Sequence, residues 1–154
     1  MSVPVAVERS RSGDGAHVWI FFSEPVPARR ARRLASLLVS ATQERRPDIG
    51  FGSYDRFFPS QDTLATGGFG SLIALPLPGG PRAADNSVFV DASFRSYHDQ
   101  WAHLSSLRRL SRDEVEQFVA SRPDDGDVPG VRAPARDPDD PEPWAAPPSG
   151  RTEE

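Results

Sequence analysis

The sequence predicts an α+β fold, in which a mostly antiparallel sheet is covered by about three helices. Two short segments rich in β-branched and aromatic residues, 3–8 and 17–23, flank a glycine-containing turn, which is typical of a β-hairpin. Apolar residues recur at helical spacing over residues 28–45. Ser111 and Glu114 have the spacing of a capping box, which marks the start of another helix.

The long helix is expected over residues 28–45, after Pro25 and Pro27, because proline is tolerated in the first helical turn. Its predicted buried stripe comprises Ala31, Leu34, Ala35, Leu38 and Ala41 or Thr42. Arginines at 29, 30, 32 and 33 crowd the positive end of the helix dipole, where an anionic partner would relieve their repulsion. A solvated charged face is the alternative.

The remaining elements are predicted in chain order. Residues 55–58 should form a short strand that ends at Pro59, and residues 71–77 and 86–90 should form two strands joined by a turn at 78–81. Helices are expected over residues 98–110 and 111–121. Their predicted inward residues are Trp101, Leu104, Leu107 and Leu110 in the first, and Val115, Phe118 and Val119 in the second.

Composition excludes several classes of function. The chain has no cysteine, which excludes disulfides, zinc knuckles and thiol nucleophiles. All 18 basic residues are arginine, so a Walker-type phosphate loop and Schiff-base chemistry, which need lysine, are also excluded. No apolar run of membrane-spanning length and no secretion signal occur, so we expect a cytoplasmic protein without a membrane partner.

The predicted folded body covers residues 1–122, and residues 123–154 form a distinct tail. The tail holds eight of the 16 prolines and nine of the 22 acidic residues, against three arginines. Such a segment cannot bury enough apolar surface to offset its chain entropy, and we expect it to be disordered. The body is only mildly basic, so any binding of nucleic acid would depend on a local arginine patch.

The hairpin turn is the strongest candidate site. Within residues 10–15, glycines would allow close approach of a ligand, successive N–H groups could bind an anion, and Arg11 could bind phosphate oxygens. His17 follows as the chain leaves the turn. On these residues alone, both a triphosphate-binding turn and an ordinary solvated hairpin turn remain open.

A set of motifs resembles the primase domain of TOTE conflict systems, a branch of the archaeo-eukaryotic primase superfamily. The resemblance runs from about Val3 to Leu110, with its motifs in the family's order. The motifs are Ser10-Arg-Ser-Gly-Asp-Gly-Ala-His17-Val-Trp19, Tyr54-Asp-Arg-Phe-Phe-Pro-Ser-Gln-Asp62, Gly67-Gly-Phe-Gly-Ser-Leu-Ile-Ala-Leu-Pro-Leu77, Val88-Phe-Val-Asp91 and Asp99-Gln-Trp-Ala102.

The resemblance implies a primase-type core and a role for each candidate residue. It implies that His17 contacts the phosphates of an incoming nucleotide, together with Ser10, Arg11, Ser12, Gly13 and Gly15. It also implies that Asp91 is a catalytic ligand of Mg²⁺ or Mn²⁺, and that Arg56 and Gln61 contact substrate or template. Without the resemblance, Asp91 has the pattern of a turn residue, and Arg56 and Gln61 have that of ordinary loop residues.

The chain departs from the family pattern in one respect. Members open with an Asp-x-Asp signature, whose two carboxylates join the third aspartate in binding metal, and residues 1–122 contain no such signature. We therefore expect a partial primase domain that lacks its first αβ unit. One carboxylate does not hold two magnesium ions.

Three functions follow from these expectations. The first is template-directed primer synthesis by a two-metal mechanism, with nucleoside triphosphates and single-stranded or primed DNA as partners. The alternative is a catalytically silent remnant that binds nucleotide or nucleic acid. The third is an adaptor whose acidic tail binds a basic partner such as a helicase subunit.

Overall fold

A computed structural model describes residues 2–48, 54, 56–62 and 72–121. These residues form an α+β arrangement, as predicted, with a three-stranded antiparallel sheet and four helices. The elements in chain order are β1 (Ala6–Arg9), β2 (Ala16–Trp19), α1 (Ala28–Arg45), α2 (Gly79–Ala83), β3 (Phe89–Val90), α3 (Gln100–Ser106) and α4 (Arg112–Ala120). The predicted tail at 123–154 lies outside the described residues.

The sheet has the strand order β2-β1-β3, so β1 is central. Glu8 is paired with His17 on β2 and with Phe89 on β3, which sets these three residues in one row across the sheet. Side chains opposite each other in antiparallel strands point to the same face. One face therefore carries Glu8, His17 and Phe89, and the other carries Val7 and Val18.

The hairpin predicted around the glycine turn is confirmed, although both strands are shorter than expected. The turn closes through a hydrogen bond of 2.8 Å from the Ser10 N–H to the Gly15 carbonyl. Gly13 has a φ of 88°, a conformation that glycine adopts without steric cost. A Cβ atom at this position would lie 3.1 Å from Asn86 Oδ1, so the turn also packs closely against the segment before β3.

The main apolar cluster lies between α1 and α4. Its buried members are Leu34, Leu37, Leu110, Val115 and Val119. The helix α1 has the predicted bounds, but its buried face is rotated relative to the predicted stripe. Ser36 and Leu37 are buried, whereas Ala31 and Ala35 are only partly buried. The reason is that α4 covers one side of α1, and periodicity alone does not specify which side meets a partner.

Arg30 and Arg32, at the start of α1, have anionic partners within the chain. Arg30 Nε lies 3.2 Å from Glu116 Oε1 on α4. Arg32 Nη1 donates to Asp62 Oδ1 over 2.9 Å. The chain itself therefore supplies a counter-charge for each of these two cations.

Two predicted strands are wrong for the residues described. Residues 56–62 contain no strand, and neither do residues 72–77, in which Leu72 and Leu75 are largely exposed. The apolar run of residues 72–77 is not matched by a neighbouring strand among the described residues. The predicted strand at 86–90 reduces to Phe89–Val90, and the predicted turn at 78–81 overlaps the short helix α2.

The helix α3 is shorter than the predicted 98–110. Asp99 caps its N-terminus, because one carboxylate oxygen, Oδ1, accepts from the N–H groups of Trp101 and Ala102. Trp101, predicted to face inward, is 63% exposed, and Leu110 is buried outside the helix beside Phe22. The capping box of Ser111 and Glu114 at the start of α4 is confirmed.

Candidate functional site

The Ser10–Gly15 turn satisfies much of its own hydrogen-bonding capacity. The Gly15 N–H donates to Ser10 Oγ over 3.0 Å, and the hydroxyls of Ser10 and Ser12 lie 3.1 Å apart. Among the residues that the structure describes, none accepts a hydrogen bond from the N–H groups of Arg11 and Ser12. Two consecutive N–H groups and the exposed Arg11 side chain are therefore the donors that the turn offers to a ligand.

Arg9 fixes the base of this turn. Its Nη1 atom donates to the Asp85 carbonyl over 2.7 Å and to Asp85 Oδ2 over 2.5 Å, and its Nη2 atom donates to the Phe94 carbonyl over 2.6 Å. Its guanidinium also lies over the Phe94 ring, 5.4 Å from the centroid. The hydroxyl of Ser96 and then Arg9 hold the pKa of Asp85 below its ordinary value. The guanidinium of Arg9 therefore holds the base of the turn against Asp85 and Phe94.

His17 faces Glu8 across the hairpin. Its Nδ1 atom lies 3.2 Å from Glu8 Oε2, and Trp19 Nε1 donates to the same oxygen over 2.6 Å. The Glu8 side chain is 2% exposed, whereas that of His17 is 53% exposed. His17 therefore has one nitrogen against a buried carboxylate while the ring remains accessible to a ligand from solvent.

Asp91, the predicted metal ligand, lies directly after β3 in a tight turn. Its Oδ1 atom accepts from the N–H groups of Ser93 and Arg95 over 2.8 and 3.0 Å, and its Oδ2 atom lies 3.2 Å from Arg95 Nη2. These contacts, led by the Arg95 N–H, hold the pKa of Asp91 below its ordinary value. The carboxylate is ionised at neutral pH and already engaged on both oxygens.

Asp91 lies outside the row of sheet residues that carries His17. The strand β3 ends at Val90, and the Asp91 carboxylate is directed to the backbone of the following turn, at Ser93 and Arg95.

The described residues do not fit the metal site that the resemblance implies. Within the described residues, no group of three His, Cys, Asp or Glu side chains converges as a metal site would require. Both oxygens of Asp91 are engaged, one of them by a cationic side chain. With one carboxylate, Mg²⁺ would need its remaining ligands from substrate phosphates and waters.

Arg56 and Gln61, predicted to contact substrate or template, are both exposed. Their segment is joined to α1 by the ion pair of Arg32 and Asp62. The structure thus connects this segment to the helical layer, and its hydrogen bonds do not link Gln61 to the turn or to His17.

Sequence reasoning missed the partners that hold the site together. Glu8 and Trp19 contact each other across the strands, and Arg9 reaches residues more than seventy positions away. The contact between Glu8 and Trp19 could have been found from the sequence, because residues on either side of a hairpin turn pair at predictable positions. The contacts of Arg9 leave no signal in the local sequence pattern, since they depend on where the segment before β3 meets the turn.

Comparison with known proteins identifies the chain's relatives at the level of a family. A family model described as the TOTE conflict system archaeo-eukaryotic primase domain matches residues 1–118. No curated protein matches the chain. Over the described residues, no helix has the length and apolar character that crossing a membrane would require.

Proposed function

Because the chain belongs to the archaeo-eukaryotic primase domain family of TOTE conflict systems, we propose that it binds a nucleoside triphosphate within a primase-type nucleotidyltransferase. The family supports a primase- or polymerase-like nucleotidyltransferase, with nucleotide and nucleic acid as substrates. The hairpin register is the observation that carries the proposal for this chain. It sets His17 opposite Glu8, two residues beyond a turn with unsatisfied N–H groups.

The proposed phosphate contacts follow from the donors of the hairpin. The N–H groups of Arg11 and Ser12, which donate to no described residue, would bind one phosphate group. The Arg11 guanidinium would add a planar pair of donors, and the outer nitrogen of the His17 ring would donate to a second phosphate group. Arg9 would not contact phosphate, because its guanidinium is already bound to Asp85 and Phe94.

Template-directed primer synthesis is the finer proposal, with single-stranded or primed DNA as the second substrate. Asp91, in the turn after β3, would be the acidic residue of the transfer site.

A second candidate function is nucleotide binding without transfer. The contacts of Asp91 favour this function, since backbone N–H groups and the Arg95 side chain already occupy its two carboxylate oxygens. Under this proposal the hairpin still binds triphosphate, and the chain acts as a nucleotide- or nucleic-acid-binding subunit. In the related adaptor proposal, the acidic tail of the chain would bind a helicase subunit.

Primer extension separates these two candidates. The full chain would be incubated with a primed DNA template, nucleoside triphosphates, and Mg²⁺ or Mn²⁺. Extension that is abolished by Asp91→Asn supports nucleotidyl transfer, and Asp113→Asn, at an exposed position in α4, is the matched control. Triphosphate binding without extension supports the silent function. Extension that survives Asp91→Asn would contradict the role proposed for this residue.

A further inference from the structure

Glu8 is an unusual residue at the centre of the sheet. It is a carboxylate 2% exposed to solvent on the middle strand, in a row with His17 and Phe89. An ionised carboxylate that leaves water loses several kcal/mol of solvation, so a buried one requires compensating donors. Replacing it by an apolar residue would suit a sheet core better. Packing alone therefore does not explain why a glutamate occupies this position.

The two donors of Glu8 converge on a single oxygen. Trp19 Nε1 lies 2.6 Å from Oε2, and an indole nitrogen can only donate, so this oxygen is an acceptor. His17 Nδ1 lies 3.2 Å from the same atom. An ionised carboxylate has no proton to donate, so its oxygen attracts the ring nitrogen only when that nitrogen carries its own proton. The contact therefore selects the ring form in which Nδ1 is protonated.

This selection decides what the other ring nitrogen can do. A neutral ring protonated on Nδ1 has a lone pair on Nε2, which repels a phosphate oxygen. Binding of the phosphate through Nε2 then requires a second proton, which makes the ring an imidazolium. The Glu8 carboxylate would accept from Nδ1–H in that form as well, while the indole N–H of Trp19 holds the carboxylate in place.

We propose that Glu8 is the positioning residue of His17, accepting from Nδ1–H and so directing Nε2–H of the doubly protonated ring at a phosphate oxygen. This inference rests on the proposed triphosphate binding. Glu8 itself, being buried behind the ring, makes no contact with the ligand. Trp19 in turn positions Glu8, because its indole N–H donates to Glu8 Oε2 and fixes the orientation of the carboxylate.

The first test needs no ligand. Nitrogen-15 chemical shifts of the histidine rings report which nitrogen is protonated, and His17→Ala assigns the His17 signals among the three histidines. The proposal predicts that the neutral ring of His17 carries its proton on Nδ1. A neutral ring protonated on Nε2 in the wild-type protein would overturn it. This result is independent of whether the chain binds triphosphate.

The second test is a double-mutant cycle on binding of a nucleoside triphosphate. Glu8→Gln keeps the size of the side chain and removes its charge, and we expect it to weaken binding by roughly tenfold, the scale of a charge-assisted hydrogen bond. In the His17→Ala background the same change should have almost no further effect, because Glu8 acts through His17. Glu44→Gln, at an exposed position of α1, is the matched control.

Two outcomes of the cycle would contradict the proposal. One is a Glu8→Gln protein that is folded by circular dichroism and binds triphosphate as tightly as wild type. The other is equal loss from Glu8→Gln with and without His17, which would show a structural effect on the whole turn. Absence of binding by the wild-type chain would instead refute the proposed function, while the ring shifts would still test the contact itself.

Discussion

The side-chain amide of Gln100 forms a closed pair of hydrogen bonds with the backbone of Phe89. Gln100 Oε1 accepts from the Phe89 N–H over 2.7 Å, and Gln100 Nε2 donates to the Phe89 carbonyl over 3.0 Å. The same nitrogen donates to the Tyr97 carbonyl over 2.9 Å. The amide thus pairs with the outer edge of β3 at Phe89, beside the antiparallel bridge between Val90 and Ser96.

Removing this amide should destabilise the fold. Gln100→Ala leaves a buried N–H group and two carbonyls with fewer partners, and we expect a loss of about 2–4 kcal/mol in the free energy of unfolding. Urea denaturation monitored by circular dichroism measures it. Gln117→Ala, at an exposed position of α4, is the matched control and should be nearly neutral. Equal midpoints for the two variants would show that Gln100 does not support β3.

The glycine turn should tolerate a methyl group poorly at Gly13. Its φ of 88° is strained for alanine, and the new Cβ would lie 3.1 Å from Asn86 Oδ1. We expect Gly13→Ala to lower the free energy of unfolding by about 1 kcal/mol or more. Gly80→Ala is the control, because nothing lies within 4 Å of its Cβ position in α2. A loss at Gly80 equal to that at Gly13 would contradict this account.

His103 should contribute stability that is lost as the pH decreases through 6.5. Its ring stacks on Tyr97 with centroids 3.8 Å apart, and burial lowers the pKa of His103 from its ordinary value of 6.5. The folded state therefore favours the neutral ring, and the unfolded chain binds more protons near this pH. The carboxyl groups of Asp85, Asp91 and Glu114, whose pKa values are lowered, act in a more acidic range.

Thermal denaturation between pH 7.5 and 5 would measure this effect. Relative to His103→Phe, the wild-type melting temperature should decrease over that interval, because His103 binds protons more readily in the unfolded chain. His103→Phe keeps a ring beside Tyr97 and removes the titrating group, so its melting temperature should change less. His98→Asn, at an exposed position before α3, should behave as wild type. An identical pH dependence in His103→Phe and wild type would refute the assignment.

The elements that the sequence predicts well are those specified by local chemistry. The bounds of α1 follow from Pro27 and helical periodicity, and the start of α4 follows from the capping box of Ser111 and Glu114. The hairpin follows from its glycine turn. In each case the decisive interactions join residues close together in the chain.

The elements that the sequence predicts poorly depend on distant partners. The edge of β3 is completed by the Gln100 side chain, and nothing in residues 86–90 indicates that a helix would supply it. The apolar pattern of residues 72–77 predicts a strand, yet no strand pairs with it among the described residues. At the site, the sequence indicates His17 and the turn, but only the register identifies Glu8 as the partner of His17.

Calorimetric titration of a nucleoside triphosphate into wild-type and His17→Ala protein tests the central claim most directly. We expect wild type to bind and His17→Ala to lose on the order of 1–3 kcal/mol of binding free energy, the scale of a charge-assisted hydrogen bond. His98→Ala is the better control, because His103 packs against Tyr97 and its loss would disturb the fold. Equal affinities for wild type and His17→Ala, in protein shown to be folded by circular dichroism, would contradict the account.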